Sequence, residues 1–208
     1  MIETKQKILE TAERLIGEQG YSGTSLRHII AEAGVNLAAV HYHFGSKEEL
    51  LDELITRKAG PVNEERLARL DRLQAESGDA PPSVEEVLEA FLLPMAEAAD
   101  REPQFVRLMG RIMAEGLMQN VVQKHFQTVS RRMMGALRQA LPHIPEDEFL
   151  WRTHFMIGAM AHTMCGQPDP TGKGGAGGDF RGRIHRLIAF LDGGFHAPVR
   201  PADKIEEK

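Results

Sequence analysis

The chain has one cysteine among its 208 residues, Cys165, so it can form no internal disulfide and no cysteine-rich zinc site, and it suits a reducing compartment. Tryptophan occurs once and tyrosine twice, against nine phenylalanines and ten methionines. An interior short of polar aromatics and rich in thioethers is soft, whether it serves as plain core or repacks around an apolar guest. No stretch alternates polar and apolar residues, which removes β-strands from the expected fold. The first sixteen residues carry Glu3, Lys5, Lys7, Glu10 and Glu13 among their apolar neighbours. They read as neither signal peptide nor membrane span, so the protein is expected in the cytoplasm with no membrane partner. Positive charge is also short: the formal net charge is −5, and residues 1–50 hold five basic against seven acidic side chains. That excludes coating of nucleic acid through bulk electrostatics, and any such contact must be local and shaped.

What is present is helical periodicity almost throughout. Ile8, Ala12, Leu15 and Ile16 form one apolar stripe that ends at Gly20, a residue suited to a left-handed cap. Thr24 and Ser25 are N-cap types ahead of Leu26, Ile29, Ile30 and Ala33, and that short helix stops at Gly34. Asn36 can cap a third short helix running to Phe44, and Ser46-Lys47-Glu48-Glu49 has the form of a capping box opening a fourth. Proline lacks an amide donor, so Gly60-Pro61 predicts a kink or a new helix. A second capping box, Ser83 to Glu86, precedes the stripe Val87, Leu88, Phe91 and Leu92, and further helices are expected over 103–117, 120–141, 146–164 and 181–195. Residues 166–180 contain six glycines and two prolines and should form a mobile loop. The phosphate-loop spacing is absent around Gly172-Lys173-Gly174-Gly175, so no nucleotide is expected there.

Two short helices joined across Gly34-Val35-Asn36 make a helix-turn-helix, whose second helix lies in the DNA major groove while the first crosses the backbone. Leu37 and Ala38 are small or apolar where that second helix would meet base edges. Tyr42 can reach a phosphate with its hydroxyl, Lys47 supplies a charge, and Arg27 and the Thr24 hydroxyl can meet the backbone from the preceding helix. The wording Gly20-Tyr21-x-x-Thr24-Ser25-Leu26-Arg27-x-Ile29-Ile30-x-x-Ala33-Gly34-Val35, followed by Val40-x-Tyr42-x-Phe44-x-Ser46-Lys47-Glu48-x-Leu50, closely resembles the DNA-binding domain of the tetracycline-repressor (TetR) family. The resemblance implies an all-α protein with a DNA-binding head over 1–47, a helical effector-binding and dimerisation body over 48–196, and a disordered tail over 197–208. It also implies a DNA-facing set of Thr24, Ser25, Arg27, Asn36, Leu37, Ala38, His41, Tyr42, His43 and Lys47. Leu37-Ala38 stands where many members place Lys-Gly, so the operator sequence is not implied. Phe149-Leu150-Trp151-Arg152-x-His154-Phe155-Met156-x-Gly158-Ala159 resembles the body of the PsrA-like branch, which implies fatty acids or their derivatives as effectors.

A catalytic reading would start from Cys165 with His154 or His162, or from a histidine metal site. His41 and His43 are two apart on a helix and lean to different faces, and His154 and His162 are separated by about 12 Å of helical rise, too far for one ion. No enzyme activity, metal or cofactor is expected. Met109 and Met113, and Met156 and Met160, recur at i+4, and with Phe105 and Phe126 they form either core or the wall of an apolar site. Arg107, Arg111, His125 and Arg152 are the candidates for a ligand head group. Gly158, Ala161 and Cys165 form a small-residue stripe, and with Leu187 and Leu191 they are the expected dimer seam, unless both stripes pack within one subunit. The function expected is a homodimeric repressor released from a palindromic double-stranded operator by a small apolar effector. The alternative is a small helical lipid carrier or enzyme with a non-functional helix-turn-helix.

Overall fold

A computed structural model describes residues 2–36, 42–78, 80–117, 122–165 and 179–199. Most of the third short helix, the glycine-rich stretch over 166–178 and the tail beyond Val199 lie outside them. The fold is all-α. The stripe Ile8, Leu9, Ala12, Leu15 and Ile16 is buried along α1 (Ile2–Gln19), which ends at Gly20 with φ +82°. Ser25 caps α2 (Leu26–Ala33) by accepting from the His28 amide, and Gly34 closes it in the left-handed region at φ +61°. Ser46 opens α3 (Lys47–Ser77) with both bonds of its capping box in place.

Of the kink or new helix expected at Gly60-Pro61, the new helix does not form: α3 is one helix through Pro61. Proline costs one intrahelical bond, and the buried Ala59 and Val62 on either side hold the helix against the core. Ser83 opens α4 (Val84–Arg101) with a second complete capping box, and α5 (Pro103–Ala114) follows with Pro103 in its first turn. A π-helical turn over Val122–Phe126 leads into α6 (Gln127–Ala140). The last two helices are α7 (Glu146–Met164) and α8 (Phe180–His196).

The fifth helix is the centre of the packing, with α1 on one side and α7 on the other. Gly17 brings α1 against it: a Cβ there would stand 3.5 Å from Gln104 O and 3.6 Å from Leu108 N. The approach to α7 is closer, since a Cβ on Gly110 would stand 2.7 Å from the backbone of both Met164 and Cys165. The fourth helix packs on α3 and α8, and α6 lies across α3 and α4 with Val129, Met133 and Leu137 buried. Arg152 ties α7 to the end of α8: its guanidinium donates to Glu148 at 2.7 and 2.8 Å and to Phe195 O at 2.6 Å. Among the described residues no group of three or more His, Cys, Asp or Glu is gathered as ion ligands, and no helix is long and apolar enough to cross a membrane.

Because backbone rather than a movable side chain faces Gly110, Gly110→Ala should push α5 from α7 and destabilise the protein by about 1–3 kcal/mol. Thermal or urea unfolding of the full chain measures this, and an unchanged midpoint would contradict the packing described.

Candidate nucleic-acid interface

The turn from Gly20 to Ser25 leads into the first helix of the helix-turn-helix, and three other parts of the chain hold it. Thr24 is only 1% exposed; its hydroxyl lies 2.8 Å from Gly20 O and 3.2 Å from Leu15 O, at the end of α1. It faces inward and caps α1, which corrects the expectation that it meets the DNA backbone. The Lys47 ammonium donates to Tyr21 O and Thr24 O, both at 2.9 Å, and stands 3.8 Å from the centre of the Tyr21 ring. Two of its three N–H directions are therefore used within the protein, where a free phosphate contact was expected. Tyr21 Oη donates to Glu48 at 3.0 Å, and burial together with that bond pushes the phenol up to about 12.

The third hold comes from far along the chain. Glu115, just past α5, accepts from Tyr21 N at 2.9 Å and from Ser22 N and Ser22 Oγ at 3.0 Å. Gly20 has φ +82°, which requires glycine, and a Cβ there would also displace the Glu115 carboxylate from this contact. No local pattern signals this contact, because its partners are more than ninety residues apart.

With the turn held, α2 presents its N-terminus and Ser25 to solvent, and Arg27 is exposed with no ion-pair partner among the described residues. Tyr42 is 77% exposed and sits edge-on to His43, ring centres 5.1 Å apart, while Phe44 beside them is buried as the anchor. Asn36 is exposed at the end of the turn. Leu37, Ala38 and His41 lie outside the described residues. Ser25, Arg27, Asn36 and Tyr42 are thus exposed on the head and His43 partly so, whereas Thr24 and much of Lys47 serve its interior.

Two family models match the chain. Residues 8–54 match "Bacterial regulatory proteins, tetR family", and residues 87–194 match "Tetracyclin repressor-like, C-terminal domain". The chain belongs to the TetR family. It is 26% identical to the HTH-type transcriptional regulator CymR of Pseudomonas putida over 176 residues, 81% of this chain and 82% of the relative. Its similarity to the probable HTH-type transcriptional regulator YttP of Bacillus subtilis is 42% identity over 55 residues, 26% of this chain and 27% of that one. A solved TetR-like regulator from Rhodococcus sp. RHA1 superposes with a TM-score of 0.61 at 18% identity, covering 94% of this chain and 97% of that one. The hemolysin II transcriptional regulator HlyIIR superposes with a TM-score of 0.58 at 21% identity, over 91% and 97%. Family membership makes this a DNA-binding transcriptional regulator and not an enzyme.

In the TetR body, Phe105, Met109, Phe126, Met156 and Met160 are buried and Met113 is partly so, all in or against one core. A cavity of about 330 Å³ lies beside α3 and α4, but its lining is charged, with Lys58, Glu65, Glu97 and Glu102, and of the six only Phe105 borders it. Of the head-group candidates, His125 Nε2 pairs with Asp52 at 2.7 Å, Arg152 with Glu148, and Arg107 is exposed. Arg111 keeps a buried Nε without a hydrogen bond. Ala161, Leu187 and Leu191, expected at the dimer seam, are buried within the subunit, while Gly158 is exposed and Cys165 partly so. Burial pushes the Cys165 thiol up, partly offset by Arg111, which leaves it a protonated, unreactive group at neutral pH.

The different duties of the two residues expected at the DNA backbone can be separated by substitution. Lys47→Ala should loosen the Tyr21–Thr24 turn and lower stability by about 1–3 kcal/mol, whereas Tyr42→Phe should change it by less than about 0.5 kcal/mol. Thermal unfolding together with amide exchange of the turn reads the contrast; equal, negligible effects would remove Lys47 from its structural role.

Proposed function

We propose that the chain is a ligand-responsive transcriptional repressor, working in the cytoplasm as a homodimer on a pseudo-palindromic operator. The head over 1–47 reads DNA and the body over 48–196 carries effector and partner. The observation that supports this reading most is that Ser25, Arg27 and Tyr42 of the head are all exposed while the turn leading into α2 is held by Glu115 and Lys47. These are groups suited to phosphate, and base reading is assigned to Leu37, Ala38 and His41.

The homodimer is supported by an exposed aromatic face on the last two helices. Trp151 stacks on Phe155, ring centres 5.7 Å apart, and Phe155 is 63% and Phe190 71% exposed. A Cβ on Gly158 or Gly193 would meet no atom within 4 Å, so a second helix can approach there. A monomer leaves this face in water, whereas a two-fold pairing of α7 and α8 closes a four-helix bundle. The seam is thus shifted from Leu187 and Leu191 to the outward residues of the same helices.

The effector proposed is a small apolar molecule, a fatty acid or an acyl thioester. Its support is the soft interior of the body, where methionine and phenylalanine side chains such as Met109, Phe126, Met133 and Met156 are buried in one core and can repack around an acyl chain. Release follows if the ligand favours a spacing of the two heads that no longer matches successive major grooves about 34 Å apart.

Selection of bound fragments from the organism's own DNA should yield a two-fold related site whose affinity falls steeply with salt. Sodium palmitate or palmitoyl thioester should weaken that binding and raise the melting temperature together. Stabilisation without any change in DNA binding would favour a lipid carrier instead. Phe155→Glu with Phe190→Glu should give a folded monomer of 23.1 kDa, read by light scattering, that no longer holds the site tightly. A dimer that survives both charges places the seam elsewhere.

A further inference from the structure

Among the described residues two cations are buried, Arg66 and Arg152, and only Arg152 has an acid partner. Arg152 has Glu148; Arg69 has Glu65 and Glu97; Lys58 has Glu13 and Glu102. Arg66, on α3 at the seam with α4, is 2% exposed and has no carboxylate. Its Nε donates to Phe91 O at 2.8 Å, one Nη donates to Asn63 Oδ1 at 3.1 Å, and the guanidinium lies 4.2 Å from the centre of the Phe91 ring. These are neutral partners. Glu65 of α3 and Glu97 of α4 are held by Arg69.

Burial with no offsetting charge pulls the Arg66 guanidinium down to about 9, which still leaves it a cation at neutral pH. A buried charge without a counter-charge is costly, and an apolar side chain would fill the same volume at lower cost. Its second terminal nitrogen, Nη2, has no acceptor among the described residues, so part of the fork that suits a carboxylate is unused. Asn63 shares the site: its Nδ2 donates to His125 O at 2.9 Å, fixing the amide so that its oxygen faces Arg66. The seam also carries apolar side chains, Leu70 one turn along α3 and Phe91 on α4, and the buried Val129 and Met133 lie on α6, which crosses both helices.

We propose that Arg66 is the anion-binding group of the effector site, and that the effector is an aliphatic carboxylate rather than a neutral lipid. The inference rests on the reading of the body as a ligand-binding domain. It selects one residue that the sequence did not single out, and it sets aside His125 and Arg152, which are already bonded to Asp52 and Glu148. The carboxylate takes the place that Glu148 holds for Arg152, and its chain lies among the apolar side chains of α4 and α6.

The test uses the full chain with sodium octanoate, laurate and palmitate and with the methyl ester of each, read by calorimetry and thermal shift. The parent should bind at least one acid about ten to a hundredfold more tightly than its ester, the range of a charge-assisted hydrogen bond. Arg66→Met should lose that preference, and Arg111→Met should keep it. If Arg66→Met fails to fold, Arg66→Lys decides: an ammonium grips a carboxylate at one point rather than two, so the acid-to-ester ratio should fall several-fold. The proposal is overturned if no acid binds, if ester and acid bind alike, if the ratio is unchanged in the Arg66 variant, or if it is lost in Arg111→Met. Binding of the selected DNA fragments by ligand-free protein, measured on the same samples, tests the regulator reading separately and does not depend on Arg66.

Discussion

The head owes its position to a carboxylate and an ammonium that close on one turn. Glu115 takes the amides of Tyr21 and Ser22, and Lys47 takes the carbonyls of Tyr21 and Thr24, so the backbone leading into α2 is satisfied from both sides. A segment of fewer than fifty residues buries too little surface to be rigid alone. Here α1 is shared: its buried face meets α2 and α3 on one side and α5 on the other. What α5 does is therefore felt by the helix-turn-helix through a stack of side chains and one short ionic clasp.

Three connections run from body to head. The first is α1 on α5, close enough at Gly17 for backbone contact. The second is the Glu115 clasp at the end of α5. The third is α3, which starts in the head at Ser46, passes through Pro61 and carries both Asp52, gripped by Lys124 and His125 of the π-helical turn, and the buried Arg66. Burial raises the Asp52 carboxyl, but the hydrogen bonds from Lys124 and His125 outweigh it and hold the group below the usual carboxylate range. It stays charged at neutral pH, and the contact between the π-helical turn and the upper half of α3 stays ionic.

The net charge of −5 and the DNA-binding assignment agree once the charges are placed. Several acidic groups in and just beyond the head are tied to neighbours: Glu48 to Tyr21, Glu49 to its own cap, Glu53 to Lys5 and Arg57, and Glu32 to Arg14. Arg27 is an exposed cation with no such partner among the described residues. Local geometry rather than net charge decides what the head presents to a phosphate.

The sequence by itself determined the helices, their caps and the family, because these depend on neighbours a few residues apart. Ser25, Gly34, Ser46 and Ser83 sit where capping chemistry requires them, and the apolar stripe of α1 is the face that is buried. Only the tertiary structure decided which side of a legible helix faces what. Leu187 and Leu191 read as an apolar face but not whose interior they fill, and Thr24 reads as a polar cap residue but not that its hydroxyl turns to Leu15 and Gly20. The Glu115 clasp and the unpaired charge of Arg66 had no signal along the chain. An ion pair, or the lack of one, is a property of residues that only folding brings together.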